Sequence, residues 1–555
     1  MKKRIILAAV LLALSTTFTG CEKQKSDGAG YSFDYAMIGH PESLDPQFAQ
    51  DECSMMVIGN IYTGLLETDE NGALKNAAAE SYTVSPDGLT YNFKIRDNCY
   101  WFFDEDQDET VSDDECINVT AHDFEFAFRR IFNPETCSPH REKYLCIKNA
   151  CNIINGNTDY TQIGVHAMSD TELIIELDHK SAEFLNSLAL TPAMPCNEEF
   201  FYSTKGRYGL DDKSIMSDGA FFVRQWFYDP YGNDNFVYMQ RNLANTDYDR
   251  IYPTAVNFYM KDTYEEAKNS FESGESDVLL SYTCTDKIKE ENNVRMYDNH
   301  TLGIITNPDN EHYNNPNIKK ALAFGIDKES FEEHMTEGIS KAYGIIPPGI
   351  TIDDKSYREL CSDKDVYISS SDKVSVEYNP ELAVSYYQNG MQQMGIQSLE
   401  NIKLLVPENL MDIEYLHLVT QNWQTLFGFY IGIEEVSEEE FYSRIADKEY
   451  TLAIYPLSGE YNSPLSVIEQ FTTNNNIFGF SNPSVDALFD SLDKIENYSD
   501  NLNDIAEAEK LILNNFDFIP VFYKAEYEIM SGSNADIIYQ PFTKQLFFRY
   551  AKYFE

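Results

Sequence analysis

Two neighbouring stretches early in the chain alternate apolar and polar positions with a period of two. Tyr82 and Val84 stand between polar residues, and Leu89, Tyr91, Phe93 and Ile95 repeat at every second place. Ser85-Pro86-Asp87-Gly88 separates them, with Pro fixing φ and Gly allowing φ > 0. The pattern predicts a β-hairpin with one buried face. Further on the period changes to that of a helix. Thr120 can cap it, Asp123 lies in its first turn, and Phe124, Ala127, Phe128 and Ile131 share one face. Other strands are expected at Tyr31 to Ile38, within Gly164 to Leu177 and at Leu546 to Tyr550. A helix should lead through Asn60, and another should run from Glu265 to Ser273. In the second half, strand and helix alternate: Ile402 to Val406, a helix through Trp423, Ile431 to Glu435, Phe441 to Ile445, and Tyr450 to Tyr455. Such alternation predicts a mostly parallel sheet with helices on its faces. Between residues 285 and 300 charge is dense and no pattern is strong, so a structural boundary is expected there.

Length changes the picture first. The 555 residues suffice for two to four domain-sized units, and 43% hydrophobic content is ordinary for packed cores. With 42 Lys plus Arg against 91 Asp plus Glu, the formal charge is −49. Such a field repels nucleic acid and anionic membrane surfaces and suits a soluble extracellular protein. The first twenty residues differ from the rest. Lys2, Lys3 and Arg4 precede an apolar run from Ile5 to Leu14, which reads as a secretory signal too short to span a membrane permanently. Gly20-Cys21 at that distance resembles the lipobox of bacterial lipoproteins, which implies cleavage before Cys21 and a diacylglycerol on its thiol. Residues 22 to 30 then form a polar tether.

Nine further cysteines remain, an odd number, in a compartment that permits disulfides. Cys99 and Cys116 bracket an acidic insertion and are candidates for a bridge at its neck. The insertion, Asp104 to Glu115, places Asp104, Asp106, Asp108, Thr110, Ser112 and Glu115 at the ligand positions of an EF-hand-like calcium loop. Glu109 occupies the place that normally needs Gly, and no flanking helices are evident, so a solvated hairpin tip is the expected reading.

The elements above also carry a resemblance. Leu44-Asp45-Pro46-Gln47, Asn60 to Leu66 (NIYTGLL), Ala79 to Trp101 (AESYTVSPDGLTYNFKIRDNCYW) and Val119 to Thr136 (VTAHDFEFAFRRIFNPET) follow one another in order. Together they resemble the family 5 solute-binding proteins of ABC importers, the oligopeptide- and dipeptide-binding lipoproteins. Later segments agree with that family: Ser273 to Val278 (SGESDV), Lys319 to Glu329 (KKALAFGIDKE), Pro347-Pro348-Gly349, Tyr378-Asn379-Pro380-Glu381, Phe480 to Asp486 and Phe518 to Tyr523. The resemblance implies an α/β fold of the type II periplasmic-binding-protein kind, with two hinged lobes of mixed sheets and an extra subdomain in the first. The expected division is 1–21 signal and lipidated Cys, 22–30 tether, 31–67 and 206–290 lobe I, 68–205 its extra subdomain, 291–525 lobe II, and 526–555 a return to lobe I.

The same resemblance implies a monomeric extracytoplasmic binder, lipid-anchored at the outer face of the cell membrane. It would hand peptides, oligopeptides first, to an ABC permease and ATPase. No cofactor, metal or nucleic acid is expected. Peptide binders of the family set a carboxylate against the ligand's α-ammonium group. The matching segment here is Leu457 to Pro464, LSGEYNSP, with Glu460 where the family has Asp. Glu460, Tyr461 and Asn462 are therefore the candidate ligand-binding residues. No cation for the ligand's other end is evident, since Asp412, Glu414 and Ile454 stand where one would be sought. A nickel chelate, a sugar, haem or a signalling peptide are alternative solutes. An extracellular hydrolase is a remote alternative, as the chain has no HExxH, GxSxG or P-loop motif. The anchor makes a direct prediction. Wild-type protein expressed in a lipidating bacterium should enter the detergent phase on phase separation, and Cys21→Ser should stay in the aqueous phase.

Overall fold

The computed structural model describes residues 31–553, apart from residues 70, 105–111, 113–114, 233, 332–334, 362–376, 412, 474–475, 480 and 496. An eleven-stranded sheet runs through the molecule. Its spine is a pair of long antiparallel strands, Asn292–Thr306 and Phe518–Ser531, in register from Asn292↔Ser531 to Ile305↔Phe518. On the flank of Phe518–Ser531 lie Val278–Ser281, Ser32–Ile38, Ala255–Lys261, Phe236–Arg241 and Phe221–Phe227 in that order. On the flank of Asn292–Thr306 lie Leu452–Leu457, Ile402–Pro407 and Ile431–Val436. Two hydrophobic cores form on either side of the spine. The first gathers Phe33, Val57, Trp101, Phe124, Phe128 and Phe258, and the second gathers Ile304, Leu322, Trp423, Leu452, Ile512 and Phe518. In chain order the first core ends at Val278, the second spans Leu302 to Phe522, and the first resumes at Met530. Among the described residues the chain thus crosses between lobes along the two spine strands.

The hairpin and the capped helix form, with Tyr91, Phe93 and Ile95 buried on the second strand but Val84 of the first exposed. Ala79–Val84 pairs with Thr90–Ile95, and the Gly88 amide donates to the Ser85 carbonyl at 2.8 Å across the turn. The helix Ala121–Phe132 opens with a capping box, in which the Thr120 amide donates to the Asp123 carboxylate at 2.7 Å. Phe124, Ala127, Phe128 and Ile131 are all fully buried.

Four expectations change. Residues 285–300 are not patternless: a helix covers Asp286–Glu291, and the fifteen-residue spine strand begins at Asn292. Its first half is polar because it edges the first-lobe part of the sheet and stays half-exposed, so no apolar period marks it. Ladder bonds to Phe518–Ser531 hold it there, with a bulge where Tyr297 to His300 oppose only Glu526 to Lys524. The second-lobe sheet is mixed rather than mostly parallel. Ile402–Pro407 runs parallel to both Ile431–Val436 and Leu452–Leu457, but the spine strand meets Leu452–Leu457 antiparallel. The single last strand is instead two short ones, Gln545–Phe547 on Ile538–Gln540 and Lys552–Tyr553 on Asn534–Ala535. Finally, Cys99 and Cys116 do not bridge. Phe102 stands opposite Cys116, while the Val119 amide bonds the Cys99 carbonyl, so the two cysteines are offset by three ladder positions. That offset is roughly 10 Å, beyond the reach of a disulfide. Most of the calcium-loop reading lies outside the described residues. Of its ends, Asp104 accepts from Arg224 at 2.6 Å, and Glu115 accepts from the amide and hydroxyl of Ser112 at 3.0 and 2.7 Å.

Two of the motifs that mark the early chain meet in space. Arg130 donates to Asp45 at 3.0 Å and to the Gln47 side-chain carbonyl at 2.6 Å, and its second amino group also contacts Asp45. The Phe201 ring lies 4.2 Å from the guanidinium carbon. Gln47 in turn donates to the carbonyls of Pro192 and Met194 at 3.1 and 2.8 Å. This buried ion pair joins the opening loop to the helix and to the 190s segment. Arg130→Met leaves the Asp45 charge uncompensated and should cost about 3–5 kcal/mol in chemical denaturation of the first lobe. The double variant with Asp45→Asn should lose less than the sum of the two single changes.

Candidate functional site

The strand Leu452–Leu457 leaves the second-lobe sheet directly into the segment Ser458 to Pro464. That segment is tied to itself. The Ser466 hydroxyl donates to the carbonyls of Tyr461 and Ser463 at 2.9 and 2.8 Å, and the Ser463 hydroxyl caps the helix Pro464–Ile468. A Cβ at Gly459 would lie 2.1 Å from the Ser466 hydroxyl, which cannot yield without losing those bonds. The turn therefore demands Gly beside Glu460. Its rigidity aims alternate side chains in opposite directions.

Glu460 points across to the first lobe, where its Oε2 takes an ion pair from Lys143. The two side chains are 54% and 29% accessible. Asn462 also faces the first lobe, donating to the Asn71 carbonyl at 3.1 Å while accepting from the Thr351 amide at 2.8 Å. Tyr461 turns inward and is buried, with its hydroxyl 3.5 Å from Glu469 Oε2. Of the three candidates, Glu460 and Asn462 are thus brought together on the gap between the lobes, and Tyr461 supports them from beneath. Cys21 lies outside the described residues.

More of this seam is acidic. Glu183, from the first-lobe segment Ser181 to Glu183, is buried against the second lobe. Its carboxylate contacts the hydroxyls of Ser463 and Tyr498 and accepts from Asn186 at 2.6 Å. Burial pushes the Glu183 carboxyl up to about 7, against the pull of those hydrogen bonds. Glu469 is also pushed up to about 7, by burial and then by the neighbouring Glu460 charge, while Lys143 opposes the shift. Ser181 donates to Asp493 at 2.8 Å in the same seam.

A second ion cluster crosses the gap. Lys544, just before the Gln545–Phe547 strand, lies 2.6 Å from Glu52 of the first lobe and 3.9 Å from Glu438 of the second. About half of the Glu438 surface can touch water, yet protein crowds it enough that burial raises its carboxyl. The Lys544 charge opposes the burial-driven rise of the Tyr282, Tyr442 and Tyr455 hydroxyls. Lys544 holds a left-handed backbone, φ 53°, an uncommon conformation for a non-glycine residue. Tyr455 and Glu460 stand five residues apart, at most roughly 17 Å of extended chain. The two ion clusters therefore flank one short stretch of the gap. Ile454, by contrast, is fully buried in the sheet and faces no ligand.

Sequence reasoning reached Glu460 and missed Lys143, Glu183, Glu469 and Lys544. None of the four lies in a periodic pattern that marks it, and their partners are distant in sequence or across the gap: Lys143 meets Glu460 and Glu183 meets Ser463 between the lobes, while Lys544 meets Glu52 within the first lobe. Among the described residues, no three His, Cys, Asp or Glu side chains come together as a metal site, and no helix is long and apolar enough to cross a membrane.

Comparison with known proteins places this architecture. Residues 73–479 match the model of the bacterial extracellular solute-binding proteins, family 5. The chain is 23% identical over 556 residues to the dipeptide-binding protein DppE of Bacillus subtilis, covering 97% of each. It is 22% identical to the oligopeptide-binding protein OppA of the same organism, covering 99% of each. Among solved structures, the pheromone receptor PrgZ superposes with a TM-score of 0.77 at 22% identity, covering 95% of this chain and 100% of that one. Listeria monocytogenes OppA bound to peptide gives 0.76 at 19% identity, with the same coverage. The two lobes on a shared mixed sheet are the fold of those proteins, and with the family match over most of its length the chain belongs to the family 5 bacterial extracellular solute-binding proteins.

Proposed function

We propose that this protein captures peptides in the gap between its lobes and delivers them to an ABC importer. The observation that carries the reading is the half-accessible carboxylate of Glu460, held on a rigid turn and facing the first lobe. A peptide's α-ammonium group entering an enclosed gap loses several kcal/mol of hydration unless an anion and hydrogen bonds replace the water. Glu460 supplies the anion, and Asn462 keeps the turn against the first lobe. The peptide-binding names of the relatives DppE and OppA support the same ligand class. A neutral sugar would have no use for a carboxylate at this position. The protein acts as a binder rather than a catalyst, and a diacylated Cys21 keeps it at the outer face of the membrane, near its permease.

Capture proceeds by closure. With the lobes apart, Glu460 is hydrated and open to ligand. As they close, water leaves, and the ammonium–carboxylate attraction strengthens as the local dielectric falls. The seam formed by Ser181 to Glu183 against Ser463, Asp493 and Tyr498 belongs to the closed state alone. The spine strands are the connection about which the lobes turn.

Two outcomes test this reading. In calorimetric titration with tri- to hexapeptides, Glu460→Gln should weaken binding at least tenfold, and N-acetylated peptides should bind the wild type about as poorly. Unchanged affinity in Glu460→Gln removes Glu460 from the site. The second outcome concerns pH. A solvated glutamate titrates near 4.5, whereas Glu183 in the closed seam titrates near 7, so between these values the closed form binds the extra proton. Closure should therefore strengthen as pH falls from about 8 to about 5 and weaken as pH rises through 7. Small-angle scattering of the empty wild type should show contraction over that range, and Glu183→Gln should flatten the change.

A further inference from the structure

The direct ion pair across the gap falls on the residue assigned to the ligand's amino terminus. Lys143 lies in the turn Arg141–Tyr144 of the first lobe. The turn is anchored by Tyr144, which is fully buried and donates to the Ser187 carbonyl at 3.1 Å. From that fixed base a flexible four-carbon stem carries an ammonium group onto Glu460 Oε2. A lysine ammonium and a peptide's α-ammonium are the same chemical group. Their demands on a carboxylate are alike, a compact charge with three donors. The Glu460 charge pushes the Glu469 carboxyl up and Lys143 opposes it, so a gap with no cation at this point would leave like charges near one another. Both partners remain partly accessible, 29% and 54%, so an incoming ligand reaches them without unfolding either lobe. The contact is also direct. While it persists, nothing can be seated between the two groups.

We propose that Lys143 is a built-in stand-in for the ligand's amino terminus. It occupies Glu460 in the empty closed protein and yields it to a ligand that brings a free ammonium of its own. This inference rests on the reading that Glu460 receives the ligand's amino terminus. The exchange is one cation for another, so the seam's charge stays balanced and no proton moves. Specificity follows from the same competition. An acylated peptide brings no charge to exchange and leaves Lys143 in place. When the ligand-free protein closes, it does so on an internal pair instead of an uncompensated acidic seam. By contrast, the Arg130–Asp45 pair, with side chains only 6% and 9% accessible, offers a ligand no such opening.

The test uses purified full-length protein and two peptide sets, tri- to hexa-alanine with free amino ends and the same peptides N-acetylated. Lys143→Met removes the competitor. Affinity for the free-amino set should rise roughly two- to fivefold, the span expected when a half-exposed ion pair no longer has to be broken. The acetylated set should gain nothing, and the empty variant should scatter as a more open particle than the wild type. Lys143→Arg keeps the charge and should hold the wild-type ratio between the two sets. A Lys143→Met variant that binds free-amino peptides more weakly, or no differently, overturns the proposal, because Lys143 would then act as a permanent strut or be idle. The underlying reading is separately visible. If the wild type does not distinguish free from acetylated peptides, or Glu460→Gln binds as the wild type does, the assignment of Glu460 has failed, and this inference falls with it.

Discussion

Charge must be compensated wherever two lobes close over a gap, and most of the arrangement here answers that requirement. The chain carries a large excess of acid, and several acids meet at the seam: Glu460, Glu469, Glu183 and Asp493 at one place, Glu52 and Glu438 at another. The first lobe supplies one lysine to each place, Lys143 and Lys544. Where no cation is near, burial moves the carboxyl instead, as at Glu183. A buried charge left alone costs several kcal/mol, and an exposed pair contributes about 1 kcal/mol or less. The seam pairs lie between these limits.

That intermediate strength separates two uses of the same chemistry. Arg130 and Asp45 are nearly inaccessible, bonded to Gln47 and covered by aromatic rings, so the pair is permanent architecture. Lys143 and Glu460 share one contact in a place that water can reach. Accessibility, rather than residue type, separates the pair locked into the fold from the pair that water can reach.

The backbone makes the seam possible. Each lobe has its own apolar core, and the connection between them is a pair of long antiparallel strands. A bulge at Tyr297 to His300 interrupts the ladder there, and the Asn299 side chain donates to the Pro541 carbonyl at 2.8 Å. Polar contacts join apolar ones in holding the two lobes together, since Ala182, Tyr282 and Phe542 also pack against the second core.

Much of the local structure was legible in advance. The Leu89 to Ile95 alternation, the Thr120 cap and the face formed by Phe124, Ala127, Phe128 and Ile131 are near-neighbour patterns, and near-neighbour physics is what periodicity records. Asp45 and Arg130 were visible as parts of ordered motifs, though not as partners. The spine strand Asn292–Thr306 was not legible, because its polar half draws its stability from the neighbouring strand rather than from burial of its own side chains. Alone, the sequence determined the kind of elements, the family and the acid at position 460. Only the tertiary structure decided that the acid faces Lys143, 317 positions away, and that Glu183 and Lys544 join the same gap. The physical reason is that electrostatic partnership depends on distance and enclosure in space, and neither leaves a trace in the spacing of residues along the chain.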